Sequence, residues 1–443
     1  MNYNLNFPAY KKALERRIVV KDIGKVTDVT GTLVEGFLPG ARVGSVCQIH
    51  GENGMFVRAE VIGFRGRKVL MMPISDMSAL GFGSRIELMT SMATVKLGDG
   101  LLGRVINGLG ETIDGKEAPH FSTEAPLYKA VCNPLERESI SEQLDLGVKS
   151  INAFVPVGMG QRVAIMAGSG VGKSMLLGMM ARKTNSDVNV IALIGERGRE
   201  VRDFIENTLG PEGMAKSIVV AVTSDASPLL RMRGAFLATT IAEYFSEKNK
   251  NVLLVMDSIT RFAMAQREIS LSVGEPVTSK GYTPSVFSTL PKLLERAGNF
   301  QNKGSITGLY TVLVEGDDMD EPIADAVRSI VDGHIVLDRK LAHREHYPAI
   351  DILQSASRVF NNIYPEKQKP FYKKGRKLLA LYREQEDLIN LGAYQSGQNR
   401  EIDEAVGLNK HLNAFLQQGF DEEWNLNQCF MELERTMAMN EEV

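Results

Sequence analysis

The sequence predicts an α/β core built on a parallel sheet, with a small β-barrel before it and an α-helical domain after it. Three observations carry this. Across residues 93–363, strands apolar on both faces alternate with helical stretches, the mark of a parallel sheet covered by helices on both sides. Across residues 21–92, short runs rich in Val, Ile and Phe alternate with turn signals at the spacing of a small closed barrel. Residues 364–443 carry helical patterns instead of strand patterns.

Residues 1–20, with Lys11, Lys12, Arg16 and Arg17, read as a short, partly helical lead-in, either a frayed terminus or a partner-binding amphipathic stretch. In the barrel region the runs are GKVTDVTGTLVEG, SVCQIH, MFVRAEVIGF and RKVLMMPI. Asn53-Gly54 between two of them favours the positive φ values of a tight hairpin, and Gly63 to Arg67 offers a second turn. The core strands are RVAIMAG, NVIALIG, SIVVAVT, NVLLVMD and LYTVLVEG, each followed by a helix. The last region predicts helices over Phe371 to Asn390, from about Glu401 to Gln418, and from Asp421 onward. Its lysines and arginines, Lys367 to Lys377, read as a solvated face.

The chain has 443 residues, enough for about three domains and a large core without covalent staples. Lys plus Arg is 51 and Asp plus Glu is 54, so the formal charge is −3 and coating nucleic acid is not its main task. The barrel also lacks the basic and aromatic interleaving that stacks bases. The three cysteines, Cys47, Cys132 and Cys429, are too scattered for a disulfide framework or a metal pair. No apolar run reaches bilayer length and no secretory signal opens the chain, so a cytoplasmic protein is expected.

Ala167-Gly168-Ser169-Gly170-Val171-Gly172-Lys173-Ser174 follows a strand and opens a helix, the setting of a phosphate-binding loop. Small residues let backbone N–H groups turn toward phosphate oxygens; Lys173 reaches the β and γ phosphates and the Ser174 hydroxyl is placed to ligate Mg²⁺. Ala167 stands where the strict pattern has Gly. Asp257 ends an apolar strand and is placed to hold Mg²⁺ through a water, or to cap the next helix. Glu196 ends another strand, where a carboxylate can orient and polarise an attacking water. Arg197 beside it is placed to steer phosphate or position Glu196, while Arg199, Glu200 and Arg202 read as surface or interface charges. His343 and His346 lack zinc-hydrolase spacing and read as surface or packing residues.

These elements, in this order, resemble the hexameric rotary-type ATPase family over nearly the whole chain. LLGRVINGLGETIDGK, GERGREVRDFIE and HYPAIDILQSASR are similar to that family's entry, catalytic-glutamate and finger segments. SDASPLLRMRGA, MDSITRFAMAQREI, SVGEPVTSKGYTPSVFSTLPKLLERAG and LNAFLQQGFDEEW are most similar to its flagellar export branch; the injectisome secretion branch is the alternative. The resemblance implies a RecA-like core, ATP hydrolysis with Mg²⁺, and a homohexamer. It assigns Gly168 to Ser174 to the phosphates, Glu196 to the water, Arg197 to a place beside the phosphates and Asp257 to the metal. Tyr347 becomes the ring that stacks on adenine and Arg358 the finger inserted into a neighbour's site; a core aromatic and a surface ion-pair partner are the other readings. Glu315 to Asp318 corresponds to a loop facing a central pore. A soluble regulator, a stalk protein, export chaperones with their substrates and a membrane export gate are the implied partners, at the cytoplasmic side of the inner membrane. A non-catalytic nucleotide-binding subunit would lack Glu196.

Overall fold

The computed structural model describes residues 22–74, 77, 80–314, 316 and 318–439. The lead-in at residues 1–20, and Glu315 and Asp317 of the acidic loop, lie outside the described residues.

Six strands close into a barrel: β1 (Ile23–Thr30), β2 (Leu33–Phe37), β3 (Val46–His50), β4 (Phe56–Arg65), β5 (Lys68–Pro73) and β6 (Arg85–Thr90). Their order is β1-β2-β5-β4-β3-β6, and all pairs are antiparallel. Alternation sends Val26, Val34, Ile49, Val61, Met71 and Ile86 inward, with Cys47 among them. Burial pushes the Cys47 thiol up to about 12, so it is an inert packing group. The two expected turns differ. Gly66 and Arg67 make a two-residue hairpin in which Arg65 pairs with Lys68 and Gly66 takes φ 61°. Asn53-Gly54 sits in a 3-10 turn, Glu52–Gly54, joining β3 to β4, and Gly54 takes φ 77°. A longer connection that is not a tight hairpin replaces the expected one.

Beyond the barrel, β7 (Thr94–Leu97) pairs with β9 (Thr123–Pro126). The central sheet contains β8 (Val105–Ile106), β10 (Arg162–Ala167), β11 (Val188–Glu196), β12 (Ser217–Thr223), β13 (Val252–Asp257), β14 (Ile306–Leu313), β15 (Gly333–Leu337) and β16 (Ile350–Ser357). Its order is β16-β15-β10-β14-β13-β11-β12-β8, parallel throughout except that β16 runs antiparallel to β15. Every residue of β13 is buried and eight of nine in β11, as their unbroken apolar runs require. The sequence did not announce β15, β16 or the reversal between them.

Helices α1 (Lys173–Lys183), α2 (Pro228–Ser246) and α3 (Ile259–Ser272) follow β10, β12 and β13. At the C-terminal end stand α4 (Lys369–Asn390), α5 (Arg400–Leu416) and α6 (Leu426–Ala438). The last begins later than the sequence suggested because Asn425 forms a capping box with Gln428. The positive charges on α4 are mostly paired, Lys374 with Glu404 at 2.8 Å and Lys377 with Glu401 at 2.5 Å. These helices share one core with the sheet, in which Leu408, Leu412, Phe415 and Leu433 join Phe154, Leu193 and Val255. Chain packing defines two compact units, one ending at Thr94 and including Ser272–Glu275, the other made of Val95–Leu271 and residues from Pro276 onward.

Candidate functional site

Strands β10, β11 and β13 are parallel, so the loops after them meet at one edge of the sheet. Gly170 and Gly172 take φ 78° and 84°, values that L side chains rarely adopt, so the loop after β10 needs glycine at both positions. Gly172 also ends α1, and no side chain caps that terminus. Its first N–H groups therefore face the cleft with the positive end of the helix dipole behind them. Val171 is the exception within the loop: its side chain is buried in the core and only its backbone belongs to the cradle.

A cleft of about 550 Å³ opens over this loop. Gly168, Ser169, Gly170, Gly172, Lys173 and Ser174 line it, with Glu196 and Arg197 across from them. Lys173 Nζ lies 2.5 Å from Asp257 Oδ1 and 3.7 Å from Glu196 Oε1. Thr311 Oγ1, from the intervening β14, donates to the same Asp257 oxygen at 2.7 Å. One lysine thus bridges two carboxylates that end two different strands. Burial, then the Asp257 charge, pushes the Glu196 carboxyl up to about 7, with Lys173 pulling the other way.

The aim of Glu196 is set by the residue before it. The pairing of β11 with β12 shifts register between Ile194 and Glu196, and Gly195 takes φ 73°. A side chain at Gly195 would place its Cβ 3.0 Å from Arg261 Cβ, so glycine lets α3 approach while the bulge re-aims Glu196. Arg261 lines the cleft, and its buried Nε has no hydrogen-bond partner among the described residues. Sequence reasoning missed it. The available signal was position: Arg261 falls on the first turn of the helix after Asp257. Arg339 lines the same cleft from the start of the short helix that follows β15 and was missed for want of any motif.

The remaining expected residues divide. Tyr347 packs its ring on the loop, with Cδ1 and Cε1 3.3 Å from where a Gly172 Cβ would stand, and is 39% exposed. Arg197 points outward and pairs with Glu200 at 3.1 Å. Arg358 is nowhere near the cleft of its own chain. It follows β16, whose Ser357 pairs with Gly333 at the start of β15, while Leu337 at the other end of β15 pairs with Ala167. The strand between them spans about 13 Å, so Arg358 stands at the opposite edge of the sheet. There its guanidinium donates to the Arg328 carbonyl at 3.2 Å and is otherwise exposed. His346 is buried against Gln417 and His343 is exposed, and among the described residues no group of three or more His, Cys, Asp or Glu is arranged for a metal ion.

A Mg²⁺ carried with a nucleotide fits this donor set. The Ser174 hydroxyl is exposed at the second residue of α1, and Asp257 supplies a buried carboxylate at the same edge. Most remaining ligands of such an ion come from phosphate and water, which accounts for the small number of protein donors.

Comparison with known proteins covers all three regions. The ATP synthase alpha/beta family beta-barrel domain matches residues 26–89, its nucleotide-binding domain residues 147–357, and the T3SS EscN ATPase C-terminal domain residues 364–435. The flagellum-specific ATP synthase of Bacillus subtilis (strain 168) is 51% identical over 404 residues, covering 91% of this chain and 92% of that protein. That of Salmonella typhimurium is 48% identical over 414 residues, covering 91% of each. The assembled ATPase EscN from the enteropathogenic E. coli type III secretion system superposes with a TM-score of 0.88 at 43% identity, covering 94% of this chain and 100% of that one. EscN in complex with its central stalk EscO gives 0.86 at 43%, with the same coverage. Among the described residues no helix is long and apolar enough to cross a membrane. Barrel, phosphate-loop core and helical C-terminal region are matched in order along one chain, and this protein belongs to the ATP synthase alpha/beta family, in its group of flagellum-specific ATP synthases and type III secretion ATPases.

Proposed function

We propose that this ATPase is the motor of a flagellar protein-export apparatus, coupling ATP hydrolysis to the unfolding, release and export of flagellar substrates. It works as a ring of identical copies, a hexamer, in which each site is completed by a neighbour. One observation carries the shared site: the same chain holds the phosphate loop with Glu196 at one edge of its sheet and Arg358 at the other.

In this reading the loop N–H groups of residues 168–174 hold the phosphates, and Lys173 leaves its carboxylate partners to meet the β and γ oxygens. Ser174 directly and Asp257 through water would hold Mg²⁺, which supplies charge neutralisation across those oxygens. Glu196 accepts a hydrogen bond from the attacking water and takes its proton as the water oxygen bonds to the γ phosphorus and the bond from that phosphorus to the β–γ bridging oxygen breaks, leaving ADP and phosphate. Its raised affinity for a proton suits a base working near neutrality. Arg261 and Arg197 add positive charge at the cleft, the latter once released from Glu200. Arg358 of the neighbouring copy stabilises the charge that develops on the γ-phosphoryl oxygens. Tyr347 stacks on the adenine.

A soluble regulator, a stalk protein in the pore, export chaperones with their substrates and a membrane export gate are the proposed partners, at the cytoplasmic face of the inner membrane. Flagellum-specific relatives reach 51% identity, against 43–47% for the secretion ATPases of known structure, which favours the flagellar system over an injectisome.

Mixing two inactive variants tests the shared site. Lys173→Ala and Arg358→Ala are each inactive as pure assemblies, and mixtures regain activity where an intact loop meets an intact finger. If no mixing ratio restores activity in assemblies whose mixed composition is verified by mass, Arg358 does not act on a neighbour.

A further inference from the structure

The ring of Tyr347 is placed on the phosphate loop by a turn that is tied both locally and from the C-terminal region. It lies between the short helix Arg339–His343 and the start of β16, and its ring is partly exposed. Within the turn the His346 N–H donates to the Leu341 carbonyl at 3.0 Å and the Ile350 N–H to the Pro348 carbonyl at 2.8 Å, and the C-terminal region adds further ties. Gln417 and Gln418 leave the end of α5 and run alongside His346 and Tyr347. The Gln417 amide meets His346 Nδ1 at 3.3 Å, and the backbone N–H of Gln418 donates to the Tyr347 carbonyl at 2.9 Å.

Gln418 is itself 6% exposed and its amide is fully committed. Nε2 donates to the carbonyls of Gly147 at 2.9 Å and Glu422 at 3.0 Å, and Oε1 accepts from the Lys149 N–H at 2.8 Å. A side chain that uses both donors and its carbonyl oxygen on backbone groups has one orientation, and it fixes the backbone it springs from. The segment after it is pinned to the phosphate-loop helix. Lys183, the last residue of α1, donates to the carbonyls of Phe420, at 2.6 Å, and Glu422. The Arg182 guanidinium lies 5.0 Å from the centre of the Phe420 ring. These contacts close a circuit: Tyr347 to Gln418, Gln418 to Glu422, Glu422 to Lys183, along α1 to Gly172, and from Gly172 back to the Tyr347 ring.

We propose that Gln418 is a positioning residue for the nucleotide base, holding the Tyr347 ring at a set distance from the phosphate loop through this circuit. It touches no substrate atom and acts only through Tyr347. The assignment rests on the reading of Tyr347 as the base-facing ring. It makes the spacing between base and triphosphate subsites a property of the C-terminal region as well as of the nucleotide core.

The test separates base from phosphate. Gln418→Met keeps the shape and removes the three side-chain bonds; Gln418→Glu keeps the acceptor for Lys149 and removes both donors. Steady-state kinetics with Mg-ATP and binding of Mg-tripolyphosphate, which carries no base, are measured on the assembled full chain. Both variants are expected to raise the KM for ATP about tenfold, the scale of one lost hydrogen bond to a positioned group. kcat stays within about twofold and tripolyphosphate affinity is unchanged. Loss of affinity for both ligands alike, or no change in KM, overturns the proposal, because general loosening would not spare the base-free ligand. Trp424, the only tryptophan in the chain, lies 4.6 Å from Lys149 Nζ by ring centre and reports on this segment. If its emission shows that the Met variant has unfolded there, the Glu variant decides. Tyr347→Ala measured in parallel tells the two ideas apart. An unchanged KM in that variant removes the base-facing role of Tyr347 itself, whereas a raised KM in Tyr347→Ala with a normal one in both Gln418 variants removes only Gln418.

Discussion

The two edges of the central sheet are built in opposite ways. At the edge where β10, β11 and β13 end, charge is buried and tied together: Lys173 bridges Asp257 at 2.5 Å and Glu196 at 3.7 Å. At the edge where β16 ends, Arg358 is exposed and held by one hydrogen bond to a carbonyl. The first edge pays for its chemistry in folding terms, since removing one charge strands another. The second carries a group whose loss the fold would not notice. The difference separates two kinds of functional residue, one embedded in the stability of its own chain and one that matters only to what approaches from outside.

Lys173→Ala and Arg358→Ala expose the contrast with the largest effects. Each lowers turnover by about 10³-fold or more, the range for removing such a charge from phosphoryl transfer. Their stabilities part company. Lys173→Ala leaves Asp257 buried beside a second carboxylate and costs about 2–4 kcal/mol in nucleotide-free protein. Arg358→Ala changes stability by less than about 0.5 kcal/mol. Denaturant unfolding of both variants checks this; equal stabilities would mean that the Lys173 bridge contributes nothing without nucleotide.

Glu196→Gln comes next. The amide keeps shape but cannot take the proton from water, so turnover falls about 10²–10⁴-fold while ATP binding persists. Equilibrium binding of ATP alongside single-turnover hydrolysis checks the split; a parallel loss of both would make Glu196 structural. The smallest effect is in pH. Because burial and Asp257 raise the Glu196 carboxyl from 4.5 to about 7, the folded state prefers its neutral form. That contribution is fully present below about pH 4.5 and is lost as pH rises through 7. Wild-type protein therefore loses stability relative to Glu196→Gln across that window, by about 2 kcal/mol once the roughly 3.4 kcal/mol of the full shift is discounted for the group's partial exposure to solvent. Thermal melts of nucleotide-free protein at pH 5 and pH 8 measure it; a constant gap would mean that Glu196 titrates normally.

Much of this was legible in the sequence because it is local. The apolar runs of β10 to β14, the loop glycines and the carboxylates at strand ends depend on neighbours in the chain. β16 escaped because Asp351, Gln354 and Ser355 break its apolar pattern. Asp351 is satisfied by Arg383 at 3.0 and 3.1 Å, Ser355 Oγ accepts from the Val336 N–H at 3.0 Å, and Gln354 donates to Asp351 itself at 2.7 Å. The cap of α6 at Asn425 was a local signal that the broader pattern overrode. Arg261, Arg339 and Gln418 escaped for a different reason. Each has its role only where separate elements meet, and nothing in its immediate sequence marks the meeting.

The reversal of β16 has a consequence for symmetry. Arg358 and the cleft lie at opposite edges of one sheet, so copies that follow one another in the same sense bring the finger edge of one toward the cleft edge of the next. That arrangement is head to tail, a heterologous contact that either closes into a ring or continues as a filament. If Arg358 serves a neighbour, as proposed, an open head-to-tail row leaves one cleft without a finger at one end and one finger without a cleft at the other. Closure alone removes both, so the last copy to join completes two sites where each earlier addition completed one.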